Sequence, residues 1–292
     1  MRPNKLIQFY LTDLCNSRCK TCDIWKTDLT AVCKHVDYNK VIEIITQFPD
    51  ADYVFGGGEF TLYEYRDELL SYCSKHDVNY TVLSNAISLN TLMELVDKYN
   101  IRNVTISCDG IRHDWIRGIP GNLENIEYFV SLYKDKIDNL KISYTYSSFN
   151  EDCTDKDMAL FRSWGFDKIY LCVASEMSLL DNINNKRYIP TNLDGLRMHM
   201  DMFYDKDREY LDRIFNKWPK KKCDSTSSVF TIYTNGDIVR CQSYLSDVVL
   251  GNIYKLDYNG FSDIVNKLDE KRHQFKCPYD KKCGLLCQRR YD

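Results

Sequence analysis

The stretch KLIQFYLTDLCNSRCKTCDIW, residues 5–25, joins a predicted β-strand to three closely spaced cysteines. Residues 5–12 are rich in β-branched and aromatic side chains, which favour a strand. Cys15, Cys19 and Cys22 follow, separated by three and then two residues. Because thiolates are the usual protein ligands of iron–sulfur clusters, this spacing predicts a metal centre just after the first strand.

The number of cysteines in this group bears on the kind of metal centre. Three thiolates can bind three irons of a 4Fe–4S cube and leave the fourth iron without a protein ligand. Catalytic metal sites keep an open position of this kind, whereas structural sites fill every position with protein ligands. The alternative is a structural zinc site completed by Cys33 or His35.

Outward from this stretch, predicted strands alternate with helical patterns up to about residue 175. Further strands are predicted at 52–57, 79–85, 103–109, 140–146 and 168–173, and amphipathic helical segments lie between them. Such alternation implies βαβ units with right-handed crossovers and a parallel sheet. The sheet is either an incomplete (β/α) barrel or an open doubly wound sheet, and in both the functional residues lie at the carboxyl ends of the strands.

The pattern changes in the last third of the chain. Residues 191–218 are predicted to be helical, and residues 229–241 form two short strands around Asn235-Gly236, a strong hairpin signal. A helical segment and a cysteine-rich tail follow. We therefore predict three parts: a core at 1–190, a helical linker at 191–218, and a small α+β domain at 219–292 that metal stabilises more than a core of its own.

Composition excludes several classes of protein. The chain has 292 residues and a net charge of −3, without a long block of like charge, so no nucleic-acid partner is expected. No apolar stretch approaches the roughly 20 residues that span a membrane, and the N-terminal pattern predicts no signal peptide. Eight of the 13 cysteines lie in two groups, at 15–22 and 223–287, which favours metal ligation over disulfides. We expect a cytoplasmic protein without a membrane partner.

The motif C-x3-C-x2-C after the first strand resembles the radical S-adenosylmethionine (SAM) superfamily, and four later segments fit the same family in order. Each lies at or just after a predicted strand end: the GGE of FGGGEF at 57–59, LSNA at 83–86, SCDG at 107–110, and the arginine of IRGIPG at 117. The resemblance implies a partial (β/α)6 TIM-like barrel with a 4Fe–4S cluster and SAM as cofactors. Two positions depart from the family pattern, since Thr21 replaces an aromatic residue and Phe60 replaces a proline.

The resemblance also implies a role for each of these residues in binding SAM. Gly57, Gly58 and Glu59 would bind the amino group, and glycine allows backbone to lie close to a ligand. Asn85 would make a polar contact. The remaining residues would contact the ribose and carboxylate groups of SAM; these are Ser107, Asp109 and Arg117.

A few other residues near these motifs are weaker candidates. Tyr144, Tyr146 and Glu176 follow later strands and are candidates for facing a substrate. His113 beside Asp114 is interpreted as an exposed loop pair. The isolated cysteines are interpreted as small buried side chains; these are Cys33, Cys73, Cys108, Cys153 and Cys172.

A second group of cysteines in the C-terminal part resembles the auxiliary-cluster domain called SPASM, or its shortened form, twitch. The group comprises Cys223, Cys241, Cys277, Cys283 and Cys287, and Gln274 stands where the full pattern has a further cysteine. The resemblance implies one auxiliary 4Fe–4S cluster, with either Cys277 or Cys283 as a fourth ligand or with an open iron. A structural zinc site is the alternative.

These resemblances imply a radical SAM oxidoreductase or epimerase. A 5′-deoxyadenosyl radical would take hydrogen from a substrate carbon, and oxidation, cross-linking or epimerisation would follow. The substrate would be a peptide or an amino-sugar or sugar-type molecule, and a donor such as flavodoxin or ferredoxin would supply electrons. Because only 14 residues precede Cys15, no N-terminal leader-binding domain is expected. A non-catalytic iron–sulfur or zinc-binding scaffold is the alternative function.

Overall fold

The computed structural model describes residues 5–22, 24–26, 35–174, 188–216, 229–239 and 249–270. In these ranges the strands are β1 Leu6–Thr12, β2 Asp52–Gly57, β3 Tyr80–Ser84, β4 Asn103–Ser107, β5 Asn139–Tyr146, β6 Tyr170–Val173, β7 Val229–Ile232, β8 Asp237–Val239 and β9 Gly251–Asn252. The first six match the predicted strands to within two residues.

The helices lie between the strands in the predicted alternation. They are α1 Tyr38–Gln47, α2 Arg66–Lys75, α3 Leu89–Tyr99, α4 His113–Arg117, α5 Asn122–Tyr133, α6 Thr154–Ser163, α7 Asp194–Arg197, α8 Asp205–Phe215 and α9 Gly260–Glu270. The short helix α4 lies between β4 and α5.

The order of the strands distinguishes a barrel from a doubly wound sheet. In the described residues the order is β6-β5-β4-β3-β2-β1-β7-β8-β9, so the first six strands follow the chain in one direction. All pairs from β1 to β6 are parallel. Right-handed crossovers in a constant direction place the helices on one face of the sheet, as in a barrel. The predicted α/β partial barrel is confirmed, and the described sheet is open because β6 and β9 form its edges.

The helix-covered face of the sheet forms the hydrophobic core, to which alternate strand residues contribute. Phe9, Phe55, Val82 and Ile106 are fully buried there. Their neighbours in the strands point to the opposite, concave face, because side chains alternate along a strand. The concave face and the carboxyl ends of the strands are therefore the surfaces left for function.

The described part of the C-terminal segment continues the same sheet. β7 pairs in parallel with β1, and β8 returns antiparallel across the predicted turn, where Gly236 has a φ of +85°. Phe230 and Phe261 belong to the same hydrophobic core as β1, and their rings lie 5.5 Å apart. This segment therefore shares a core with the first part of the chain, and the domain boundaries at 190 and 218 remain a prediction.

Candidate active site at the carboxyl ends of the strands

The three N-terminal cysteines lie in a loop that leaves the carboxyl end of β1. Cys19 is buried, with 7% of its surface exposed, while Cys15 and Cys22 are half-buried. The indole nitrogen of Trp25 donates a hydrogen bond to the carbonyl oxygen of Cys19 at 3.1 Å. This bond links Trp25, which follows the third cysteine, to the backbone of the second.

Helix α4 holds the cysteine loop from one side. The N–H of Arg18 donates to the carbonyl oxygen of Arg117 at 2.9 Å, and the N–H of Lys20 donates to that of Ile116 at 2.9 Å. These bonds occupy carbonyl groups at the C-terminal end of α4, which lack partners inside the helix. The position of Cys19 is thereby tied to the loop after β4.

The loop after β2 holds the cysteine loop from the other side. The N–H of Gly58 donates to Thr12 O at 2.7 Å, and that of Glu59 donates to Leu14 O at 2.9 Å. A Cβ atom at Gly58 would lie 2.3 Å from Leu14 O, and one at Gly57 would lie 2.5 Å from Thr12 O. The close backbone contact with the cysteine loop therefore requires both glycines. The family resemblance attributes these glycines to the approach of a ligand, and their role in binding SAM remains a prediction.

Glu59 connects the loops after β2 and β3. Its carboxylate is buried and accepts four hydrogen bonds, from Thr61 N at 3.2 Å, Thr61 Oγ1 at 2.9 Å, Ser84 Oγ at 2.7 Å and Asn85 N at 2.8 Å. Burial raises the pKa of Glu59, although these hydrogen bonds oppose the shift. In this structure the carboxylate braces the loop after β3, and its predicted contact with the SAM amino group is untested.

Asn85 lies next to the cysteine loop. Its Nδ2 donates to Asn16 Oδ1 at 2.9 Å and lies 4.0 Å from Cys15 Sγ. Its Oδ1 accepts the N–H of Ile87 at 3.0 Å, which fixes the orientation of the amide. The structure therefore brings Asn85 to the first cysteine, as expected for a residue at the end of β3.

Asp109 and Arg117 form a buried ion pair beside Cys19. Arg117 Nε donates to Asp109 Oδ2 at 2.5 Å, and Nη2 donates to Oδ1 at 3.0 Å. The side chain of Asp109 is 0% exposed and that of Arg117 is 13% exposed. Arg117 Nη1 faces Cys19 Sγ at 3.8 Å. Both residues were predicted at the site, whereas their pairing with each other was not.

His113 is buried at the start of α4, so its interpretation as an exposed loop residue was wrong. Its Nδ1 accepts the N–H of Asp109 at 3.1 Å, and its Nε2 lies 2.8 Å from Asn122 Nδ2. Burial, assisted by the charge of Arg117, lowers the pKa of His113 to about 4. The imidazole is therefore neutral at pH 7 and braces the loop that carries Asp109.

Acidification should expose this role of His113 in stability. Its pKa is about 4 in the folded protein and 6.5 ordinarily, so the unfolded chain binds a proton first as the pH falls. The contribution of His113 to the free energy of unfolding should therefore fall by about 3 kcal/mol between pH 6.5 and 4. Burial raises the pKa of Asp157 to about 6. The contribution of Asp157 to the free energy of unfolding therefore rises, rather than falls, as the pH is lowered.

The test is therefore the difference between wild type and His113→Asn in urea unfolding at several pH values. Asparagine keeps an acceptor for the N–H of Asp109 but does not titrate. The stability difference should shrink as the pH falls below 6.5. A difference that does not change with pH would contradict a neutral, buried His113.

The concave face near the strand ends carries small polar side chains. Ser107 pairs in register with Ser143 of β5, and Ser143 Oγ lies 3.7 Å from Cys172 Sγ of β6. Cys172 is exposed, so its interpretation as a buried side chain was wrong, whereas that of Cys73, Cys108 and Cys153 is confirmed.

Two tyrosines that were candidates for the substrate side lie on the other face of β5. Tyr144 and Tyr146 are fully buried in the core, so this interpretation was wrong. The hydroxyl of Tyr144 donates to Asp157 Oδ2 at 2.7 Å. Glu176 and Cys33 lie outside the described residues, as do all the predicted auxiliary ligands: Cys223, Cys241, Cys277, Cys283 and Cys287.

Two kinds of metal centre are considered for the cysteine loop, a single zinc ion and a 4Fe–4S cube. Over the described ranges, no three His, Cys, Asp or Glu side chains converge closely enough to hold one metal ion, and this includes His35. A single zinc needs its sulfur ligands about 2.3 Å from one atom. A 4Fe–4S cube gives each cysteine its own iron. Burial raises the pKa of the Cys15 thiol to about 12, so iron binding must displace its proton.

The partial barrel carries a three-cysteine loop at the end of β1, with polar loops from β2, β3 and β4 around it. This arrangement defines a class of enzymes that depend on an iron–sulfur cluster. A profile of the radical SAM superfamily matches residues 9–160, more than half of the 292-residue chain. The chain belongs to the radical SAM superfamily. Membership implies an enzyme with a 4Fe–4S cluster and SAM as cofactors. A comparison with curated proteins found no match.

Solved structures with the same fold cover nearly all of the chain. SuiB from Streptococcus suis, bound to its precursor peptide SuiA, is 14% identical with a TM-score of 0.69, over 98% of this chain and 70% of SuiB. The enzyme anSMEcpe with bound AdoMet is 16% identical with a TM-score of 0.66, over 98% and 88% of the two chains. BtrN in complex with AdoMet and 2-DOIA is 15% identical with a TM-score of 0.54, over 98% and 92%. These likenesses support the fold.

No helix in the described part of the chain is both long enough and apolar enough to cross a membrane.

Proposed function

We propose that Cys15, Cys19 and Cys22 hold the 4Fe–4S cluster that cleaves SAM, and that the substrate binds over the concave face of the sheet. The main support is the way two loops fix the position of the cysteines. The backbone of Gly58 and Glu59 bonds to one side of the cysteine loop, and that of Arg117 bonds to the other. Segments that follow three separate strands, β1, β2 and β4, thus meet at one place.

The chemistry that the bound cluster and SAM would supply is a 5′-deoxyadenosyl radical, which takes a hydrogen atom from a substrate C–H bond. The protein positions the reactants and excludes water. Asn85 and Arg117 lie beside the cysteines with N–H groups directed at sulfur. Ser107, two residues before Asp109 in sequence, pairs in register with Ser143 of β5 and is proposed to contact SAM.

We further propose one auxiliary 4Fe–4S cluster in the C-terminal segment, with Cys223, Cys241 and Cys287 as ligands and with Cys277 or Cys283 as a fourth ligand. Its role would be to accept an electron from the substrate radical. The outcome would then be oxidation or cross-linking, whereas return of a hydrogen atom would give epimerisation. A one-electron donor such as flavodoxin or ferredoxin would reduce the first cluster.

Two substrate classes are proposed. A peptide is supported by the structures of SuiB with SuiA and of anSMEcpe with a peptide, at TM-scores of 0.69 and 0.66. An amino-sugar or sugar-type molecule is the second candidate, supported by the likeness to BtrN. The small polar side chains on the concave face, Ser107, Ser143 and Cys172, suit either class.

The test begins with anaerobic reconstitution of the full chain with iron and sulfide. We expect about eight irons per chain and release of 5′-deoxyadenosine when SAM and a reductant are added. The variant Cys223→Ala/Cys241→Ala should still cleave SAM but should not turn over substrate. Bound zinc without SAM cleavage would favour the non-catalytic scaffold.

The substrate is identified by incubation with candidate peptides and amino sugars deuterated at single carbons. Transfer of deuterium into 5′-deoxyadenosine would identify both the molecule and the reacting carbon. Peptides and sugars thus give separate answers, and transfer from neither class would contradict the proposed substrates.

A further inference from the structure

The guanidinium group of Arg117 lies between a buried carboxylate and a cysteine sulfur. One edge, Nε and Nη2, faces Asp109 at 2.5 and 3.0 Å, and the remaining nitrogen, Nη1, faces Cys19 Sγ at 3.8 Å. The cation is therefore next to the sulfur, and the anion that fixes its position lies on the far edge. Burial opposes the charge of Arg117, but Asp109 and then Cys19 outweigh it and raise its pKa well above the ordinary value.

The position of this guanidinium is firmly set. The backbone N–H of Asp109 donates to His113 Nδ1 at 3.1 Å, and the carbonyl oxygen of Asp109 accepts from Asn150 Nδ2 at 3.2 Å. The carbonyl oxygen of Arg117 accepts the N–H of Arg18 at 2.9 Å. If the guanidinium turned away, Asp109 would be left as a buried charge without its cation, which is energetically costly.

A second donor approaches the same sulfur. Ser17 Oγ lies 2.9 Å from Cys19 Sγ and 3.2 Å from Arg117 O. A sulfur bound to iron has no proton, so it can only accept, as can the carbonyl oxygen of Arg117; the single proton of the Ser17 hydroxyl is then shared between these two acceptors, of which Cys19 Sγ is the nearer. Cys15, by comparison, has Asn85 Nδ2 at 4.0 Å. Cys19 is thus a buried ligand with both a hydroxyl and a cation directed at its sulfur.

Groups of this kind change the electron affinity of an iron–sulfur cluster. Reduction adds one negative charge, which spreads over the cluster and its sulfur ligands. Hydrogen bonds and positive charge at a ligand sulfur stabilise the reduced state more than the oxidised state, so the reduction potential rises. The effect is large where water is excluded, since the effective dielectric constant is then low.

We propose that Arg117 and Ser17 are positioning residues that set the reduction potential of the cluster through the sulfur of Cys19. The inference rests on the proposed cluster site, and it differs from the role in SAM carboxylate binding that the family resemblance implies. Asp109 acts through Arg117, because its carboxylate fixes the cation at the sulfur. The easier reduction would favour electron transfer from a donor before SAM is cleaved.

The test is the midpoint potential of the cluster in the absence of SAM, from a redox titration followed by electron paramagnetic resonance. The signal to follow is the one that disappears in Cys19→Ala. Arg117→Gln and Ser17→Ala should each shift the midpoint to a more negative value, and Arg117→Lys should shift it less than Arg117→Gln. The matched control is Arg112→Gln. Arg112 lies five residues before Arg117 in sequence and is an exposed cation paired with Asp152. The midpoint of this variant should equal that of wild type.

Unchanged midpoints in Arg117→Gln and Ser17→Ala would overturn the inference, as would a loss of SAM affinity in Arg117→Gln without any shift in the SAM-free midpoint. If Arg117→Gln takes up no iron, Ser17→Ala and Arg117→Lys carry the test, and wild-type midpoints in both would overturn it. Failure of the proposed function looks different, because wild-type protein would then hold no 4Fe–4S cluster or release no 5′-deoxyadenosine.

Discussion

Replacement of Cys15, Cys19 and Cys22 together by alanine is expected to abolish SAM cleavage and to remove about four irons from each chain. The reason is that these three side chains supply all of the proposed thiolate ligands of the first cluster. The auxiliary cluster, whose ligands are proposed in the C-terminal segment, should keep its iron. Iron content and 5′-deoxyadenosine release after anaerobic reconstitution measure the two effects.

The matched control for this experiment is Cys73→Ala. Cys73 is buried on α2 beside Tyr80 and Asn103, the first residues of β3 and β4, so it lies at the opposite end of the strands from the site. Its loss should leave iron content and SAM cleavage unchanged. Release of 5′-deoxyadenosine by the triple variant would show that the cluster is held elsewhere in the chain.

The general arrangement of the site could be predicted because parallel strands bring distant sequence segments to one edge. Predicted strand ends at residues 12, 57, 85 and 109 are enough to place Cys15, Glu59, Asn85 and Asp109 near one another. The structure shows direct contacts among these loops, such as Asn85 Nδ2 near Cys15 Sγ. The motifs and the alternation of strands and helices were therefore enough to predict which loops meet at the site.

The partners of individual side chains could not be predicted in this way. Arg117 pairs with Asp109, and His113 is buried between Asp109 and Asn122, through contacts that depend on how a short helix packs after β4. A polar residue in a loop is usually exposed, so the sequence favoured the wrong interpretation of His113. The available sign that His113 is buried was its position four residues after Asp109, an aspartate at the end of a buried strand.

The two tyrosines of β5 illustrate a different limit. Alternation along the strand predicts that Tyr144 and Tyr146 share a face, but not which face is covered by helices, and a shift of one residue reverses the answer. Similarly, β7 lies next to β1 although more than 200 residues separate them in sequence. Pairing at that distance has no local signature, so the C-terminal hairpin was expected to form a separate unit.

The substitution Asp109→Asn is expected to lower the free energy of unfolding by about 3–5 kcal/mol. The change keeps the shape of the side chain but removes its charge, and the guanidinium of Arg117, only 13% exposed, then remains as a buried cation without its partner. Such a loss is a large part of the roughly 5–15 kcal/mol that stabilises a typical domain. Urea unfolding of the metal-free protein, followed by circular dichroism, measures it.

The control is Asp152→Asn, which breaks the exposed pair of Asp152 with Arg112, whose side chains are 63% and 41% exposed. Exposed pairs contribute about 0–1 kcal/mol, so this variant should unfold almost as wild type does. The double variant Asp109→Asn/Arg117→Gln should recover part of the loss, because it removes the unpaired charge along with its partner. Equal losses in Asp109→Asn and Asp152→Asn would contradict a buried ion pair beside Cys19, and with it the argument that Asp109 holds the Arg117 cation at the cluster.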